Sequence, residues 1–231
     1  MNDNPSRERI LDRMRAALSQ PTQGHAPAAP HRAESLYALG ILAPIDDTLA
    51  RFRAECEANR TELHLVTAEN EGVLLRRLLE QARPAVPSSD DSAASGNEPC
   101  VYVQDTPELR SLMEVSSASV RWSTSGRPHG SDFAGITLAE ALVARTGSVL
   151  ISAKDGGRAA SVLPPLHIVY AQISQLVNDL SQAFEYVLAS GRVRDASMLS
   201  LITGPSRTSD IEKMLVMGAH GPRRVVVLLR Q

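Results

Sequence analysis

From Asp46 onward the chain alternates short apolar runs with apolar stripes at helical spacing, and this alternation most restricts the folds open to it. Leu49, Phe52 and Cys56 share a helical face before the apolar run Leu63 to Val66. Val73, Leu75, Leu78, Leu79 and Ala82 form the next helical stripe. Further apolar runs occur at Cys100 to Val103, Ser119 to Trp122, Ser148 to Ser152, His167 to Ala171, Met198 to Ile202 and Val225 to Leu229. A short helix is expected from Thr106-Pro107, and the clearest helical stripe runs from Ile173 to Leu188, stopped by Gly191. Strands that alternate with helices join through right-handed crossovers, so the expected fold is α/β: a mostly parallel sheet with helices on both faces.

Two segments fall outside this pattern. Asn4 and Pro5 can start a helix whose apolar face carries Ile10, Leu11, Met14 and Leu18, and Gln20 to Pro30 is a Pro- and Ala-rich connector. Residues 1–33 therefore read as an N-terminal amphipathic helix and linker arm, whose stripe docks either on its own domain or on another protein. Residues 34–231 read as one α/β domain, interrupted by an exposed, flexible loop over 83–99.

The charge balance of 24 basic and 26 acidic residues supplies no field that would gather nucleic acid or an anionic bilayer. The start of the chain has no apolar leader, and the longest uncharged run, Ala159 to Asn178, contains Pro164, Pro165 and His167, so neither secretion nor membrane insertion is expected. Two cysteines, Cys56 and Cys100, cannot hold a four-cysteine iron–sulfur cluster; both read as small buried hydrophobes in a reducing, cytoplasmic setting. No His-x-x-x-His pair occurs, and neither a metal nor a resident cofactor is expected.

Three loops can carry chemistry, because ligands of open α/β sheets bind where strands end. Gly156, Gly157 and Arg158 follow the Ser148 to Ser152 strand and combine free backbone N–H groups with a cation; a plain strand-to-helix turn with a solvated Arg158 is the more economical account of them. Gly204, Ser206, Arg207 and Thr208 follow the Met198 to Ile202 strand and offer hydroxyls and a guanidinium to one anion. Alternatively Ser206 or Thr208 caps a following helical turn, with Asp210 and Glu212 complementing its dipole. His220, between glycines, can titrate or bind an anion; His167, Asp210 and Glu212 are candidate acid or base groups. Arg121, Trp122, Arg127 and His129 can close over a pocket, and Glu140, read as helical, is either a nucleophile or a solvated carboxylate.

Taken together, Gly135-Ile136-Thr137, Ala144 to Ser148, Leu163-Pro164 with His167-Ile168, Thr203 to Ser206 with Thr208 and Asp210-Ile211-Glu212, and Gly218 with His220-Gly221-Pro222 resemble the signature of the LUD-domain (lactate utilization) family. The likeness spans roughly Asp105 to Gln231, with departures at Glu140, where the family pattern has Asp, and at Arg145, where it has an acidic residue. The resemblance implies a fold similar to the sugar-isomerase and coenzyme A transferase-like group. It implies a role in oxidising L-lactate to pyruvate as an accessory, non-cluster subunit. The partners it implies are an iron–sulfur LUD protein, a cysteine-rich reductase subunit and a small anionic ligand. The alternative is an independent enzyme of coenzyme A transferase-like or folate cyclo-ligase-like type, acting on a phosphorylated or CoA-linked substrate.

Overall fold

The computed structural model describes residues 5–19, 42–84, 98–191, 193–209, 215–217 and 221–231, and the chain divides into two compact units, Met1–Pro44 and Ile45–Gln231. In the first, helix α1 (Pro5–Ser19) exposes Ile10 and Met14, four residues apart on one face. The connector at Gln20 to Pro30 and residues 85–97 of the expected loop lie outside the described residues.

The second unit begins with α2 (Thr48–Ala58), started by Asp47, whose carboxylate accepts from Ala50 N–H at 2.9 Å. It continues through β1 (Thr61–Val66), α3 (Glu71–Ala82), β2 (Cys100–Val103) and α4 (Pro107–Met113). Thr106 caps α4 by accepting from Leu109 N–H, and Pro107 fills the first turn where no N–H is needed. There follow β3 (Val120–Trp122), β4 (Asp132–Leu138), β5 (Ala141–Val143), β6 (Ser148–Ser152), α5 (Gly157–Val162) and β7 (Leu166–Gln172). β8 (Leu176–Val177), α6 (Leu180–Ser190), β9 (Leu199–Ile202), β10 (Arg207–Ser209), β11 (Leu215–Met217) and β12 (Arg224–Arg230) complete the order.

Six strands form a wholly parallel sheet in the order β1-β12-β7-β4-β2-β3. Its central strands are buried on both faces, as an unbroken apolar run such as Val225 to Leu229 requires. Val226 and Leu228 of β12 point into a core with Leu75, Leu78 and Leu79 of α3 and Leu109, Leu112 and Met113 of α4. Val227 and Leu229 point the other way, toward Phe52 and Cys56 of α2 and Leu142, Val149 and Ile151.

Those last three residues belong to a second sheet, in the order β8-β5-β6-β9, which changes the expected layering. The fold is α/β with a parallel sheet, but one face is covered by α2 together with this smaller sheet, and α6 packs on its far side through Ala183 and Val187. The apolar runs at Ser148 to Ser152 and Met198 to Ile202, expected in the parallel sheet, pair antiparallel to each other here. β6 doubles back on β5 through a tight turn, and a strand that returns directly on its neighbour can only pair antiparallel.

Two further expectations are corrected. The stripe from Ile173 is not one helix: Ile173–Gln175 is a 3-10 turn and Leu176–Val177 pairs with Leu142–Val143. The helix starts only after Asp179, whose carboxylate accepts from Gln182 N–H at 3.0 Å, and ends at Gly191 as expected. Glu140 is not helical but sits between β4 and β5, 8% exposed, where it accepts a 2.8 Å hydrogen bond from Ser152 Oγ.

Candidate functional site

The turn leaving β6 is tied down by its carbonyls. Gln104 Nε2 donates to Lys154 O at 3.0 Å, while Ser123 Oγ and Asp105 N–H donate to Asp155 O at 2.5 and 3.4 Å. Gln104 and Asp105 directly follow β2, so Gly156, buried Gly157 and exposed Arg158 belong to the carboxyl rim of the parallel sheet.

The turn leaving β9 reaches the opposite rim. Gly204, at φ 78°, packs against Asn59 O, and Arg207 Nη2 donates to the same carbonyl at 2.9 Å. Ser206 N–H donates to Pro222 O at 2.8 Å, and Arg223 N–H to Pro165 O at 2.8 Å. Asn59, Pro222 and Pro165 precede β1, β12 and β7, so Gly204, Ser206 and Arg207 sit at the amino rim. The two turns are separated by the length of β6, about 15 Å at ~3.3 Å per residue, and do not share a pocket. The antiparallel pairing of β6 with β9 is the reason, because it sends their exits to opposite ends.

Residues 207–209 are extended, as β10 paired with β11, so a helical turn does not start at Ser206 or Thr208. Asp210, Glu212 and His220 lie outside the described residues, and of Thr208 only the backbone is described.

His167 stands near the start of β7, on the amino half of the sheet, fully buried. Its Nε2 is 2.9 Å from Thr137 Oγ1, and its Nδ1 has no partner among the described residues. Burial alone pushes its pKa down to about 3, so the ring is neutral at physiological pH. Thr61, facing the same side of the sheet in the same cross-strand row, also leaves its buried hydroxyl unpaired among the described residues.

In the segment with Arg121, Trp122, Arg127 and His129, three of the four side chains are held by local contacts. Arg121 Nε donates to Asp132 Oδ1 at 3.1 Å, and Arg110 lies 4.5 Å over the Trp122 ring while holding Asp105 with two hydrogen bonds of 2.6 and 2.8 Å. Arg127 is exposed, and His129 Nδ1 lies 2.9 Å from Ser131 Oγ. Cys56 is buried, and desolvation pushes its thiol up to about 12, which removes thiolate chemistry at neutral pH.

A cavity of about 500 Å³ opens on the carboxyl rim, at the ends of β1, β12 and β7, a location that spacing alone did not reveal. Its lining residues come from α3, α4, β7 and β12 and from the loops beside the two helices. Tyr170 Oη donates to Glu71 Oε2 at 2.8 Å and accepts from Arg230 Nη1 at 3.2 Å. Burial raises the Tyr170 pKa, so its proton stays in place.

Comparison with known proteins agrees with this architecture. The LUD domain model matches residues 49–229. Lactate utilization protein C of Oceanobacillus iheyensis is 24% identical over 97% of both chains, and its namesake in Bacillus subtilis (strain 168) is 40% identical over 99 residues, 41% of each chain. The chain thus spans about two fifths of the Bacillus relative it matches and nearly all of the Oceanobacillus one. The crystal structure of a DUF162 family protein from Deinococcus radiodurans superposes with a TM-score of 0.58 at 22% identity, covering 81% of this chain and 100% of that one. Among the described residues no helix is long and apolar enough to cross a membrane. With its family match covering all of the α/β unit except residues 45–48 and 230–231, the chain belongs to the LUD-domain family.

Proposed function

We propose that the chain is an accessory, non-cluster subunit of an L-lactate utilization system, oxidising L-lactate to pyruvate together with an iron–sulfur LUD protein and a cysteine-rich reductase subunit. The observation that carries this reading is the alignment with a lactate utilization protein C along 97% of both chains. The cysteine inventory supports the division of labour: with Cys56 and Cys100 alone, electron-carrying clusters belong to other subunits. The anion site of this reading is the amino rim. There Gly204 opens the backbone, Ser206 offers a hydroxyl, and Arg207 spends one nitrogen on Asn59 O, the rest of its fork having no partner among the described residues and being proposed to take a carboxylate. Thr208 and His220 belong to the same stretch of sequence and complete the proposed set.

The test is growth and co-purification. Cells lacking this chain lose growth on L-lactate, and the tagged chain brings down proteins with iron–sulfur absorbance. Lactate or pyruvate at 100 times its dissociation constant raises stability by about 2.7 kcal/mol, and Arg207→Ala removes that gain. Normal growth on lactate without the chain would sink the proposal.

A further inference from the structure

We infer that the cavity on the carboxyl rim is a second ligand site, and that it takes a small zwitterion bearing both a carboxylate and an amine, such as a free amino acid or a dipeptide. It lies at the other end of β12 from the Gly204 turn and stands independently of the proposed anion site. Three adjacent parallel strands end at it, and its volume of about 500 Å³ falls in the range of small-molecule sites.

Arg230, the last residue of β12, supplies the carboxylate anchor. Its Nη1 is held by Tyr170 Oη at 3.2 Å and lies 3.7 Å from Glu71, whereas Nε and Nη2 have no protein partner among the described residues. That leaves one edge of a guanidinium whose direction is already fixed, the geometry a carboxylate accepts bidentately. Glu71 is itself held by the 2.8 Å hydrogen bond from Tyr170, so the anchor rests on a connected network in the cavity lining.

The walls set the rest of the ligand. Glu71 balances Arg230, and Arg76 is fixed by two hydrogen bonds to Val115 O of 3.2 and 2.6 Å. Glu69, Glu108 and Glu114 also line the cavity, so its four carboxylates against two guanidiniums leave a net charge of −2. A purely anionic guest meets that field as repulsion, and a purely cationic one leaves the Arg230 edge empty. A ligand with both groups satisfies each, and the exposed side chains of Val73 and Val115 offer apolar contact for its stem.

Calorimetry on the full chain with the twenty L-amino acids and L-alanyl-L-alanine tests this. At least one binds saturably. Its N-acetyl and carboxamide derivatives bind at least tenfold more weakly, Arg230→Gln weakens it at least tenfold, and Arg207→Ala leaves it unchanged. If Arg230→Gln does not fold, Glu108→Gln, at an exposed position, decides by a several-fold loss. Absence of binding across the panel, equal affinity for the N-acetyl form, or affinity untouched by both Arg230→Gln and Glu108→Gln overturns the inference. Sensitivity to Arg207→Ala instead assigns the binding to the amino rim.

Discussion

Ser148 Oγ and Thr203 Oγ1 lie 2.6 Å apart, and this contact assigns the Gly204 turn to the beginning of β6, whereas the Gly156-Gly157 turn leaves its end. At that far end Ala153 N–H donates to Met198 O at 2.9 Å. The two glycine turns are therefore held apart by the same antiparallel strand pair that carries them.

Spin labels at positions 158 and 206 report this separation. Double electron–electron resonance should give a distribution centred at about 20 Å or beyond, from ~3.3 Å per strand residue plus label length. A short-range population under about 10 Å, seen as dipolar broadening, would show that the turns converge after all.

Acid should find His167. Its pKa falls from 6.5 to about 3 on burial, so above pH 6.5 neither folded nor unfolded chain binds this proton and the group is neutral to stability. Below 6.5 the unfolded chain takes up a proton that the folded one refuses. Stability then falls at up to about 1.4 kcal/mol per pH unit until roughly pH 3. His167→Gln keeps a polar group for Thr137 and removes the titration. Urea midpoints at pH 7, 6, 5 and 4 should decline more steeply for the native chain, and parallel profiles refute the assignment.

Gly204 and Gly191 both have positive φ, 78° and 68°, but only the first is crowded: a Cβ there collides with Asn59 O, while one at Gly191 meets open space. Gly191→Ala should cost about 1 kcal/mol, the left-handed backbone penalty alone. Gly204→Ala should cost at least about 1 kcal/mol more, because backbone has to move. Equal costs in denaturant unfolding would mean that the Gly204 turn is not packed on the end of α2.

Ser152 donates to the buried Glu140 carboxylate at 2.8 Å, which ties the end of β6 to the link between β4 and β5. Ser152→Ala should destabilise by about 1–3 kcal/mol. In a double-mutant cycle with Glu140→Gln the two changes should couple by about 0.5 kcal/mol or more. Additive effects would place Glu140 outside this network.

Where the sequence carried a local physical instruction, the element was legible. Cys100–Val103 is an isolated apolar run and forms a strand with those bounds, and Thr106-Pro107 starts α4 as a cap and a first-turn proline do. β4 was missed because Gly135 and Thr137 break its apolar run. Gly135 is required there since Ala160 O of α5 fills the space of a side chain, which only the folded packing reveals. The apolar stripe of α6 was extended too far because Leu176 and Val177 fit a helical face and a strand equally. That the Gly157 and Ser206 turns lie at opposite ends of the sheet was not legible for a different reason: pairing direction is a long-range property, and nothing near Met198 to Ile202 marks that strand as antiparallel to β6.

The position of β12 governs how the chain comes together. It is the last strand in the sequence yet inserts between β1 and β7, with Val225 opposite both Thr61 and His167. During synthesis β1 therefore waits, its apolar edge unmatched, until almost the whole α/β unit has emerged. The completed sheet sets both ends of that unit side by side, and β1 is an edge strand held by β12 alone, so withdrawing β12 frees β1 as well and exposes the interior edge of β7.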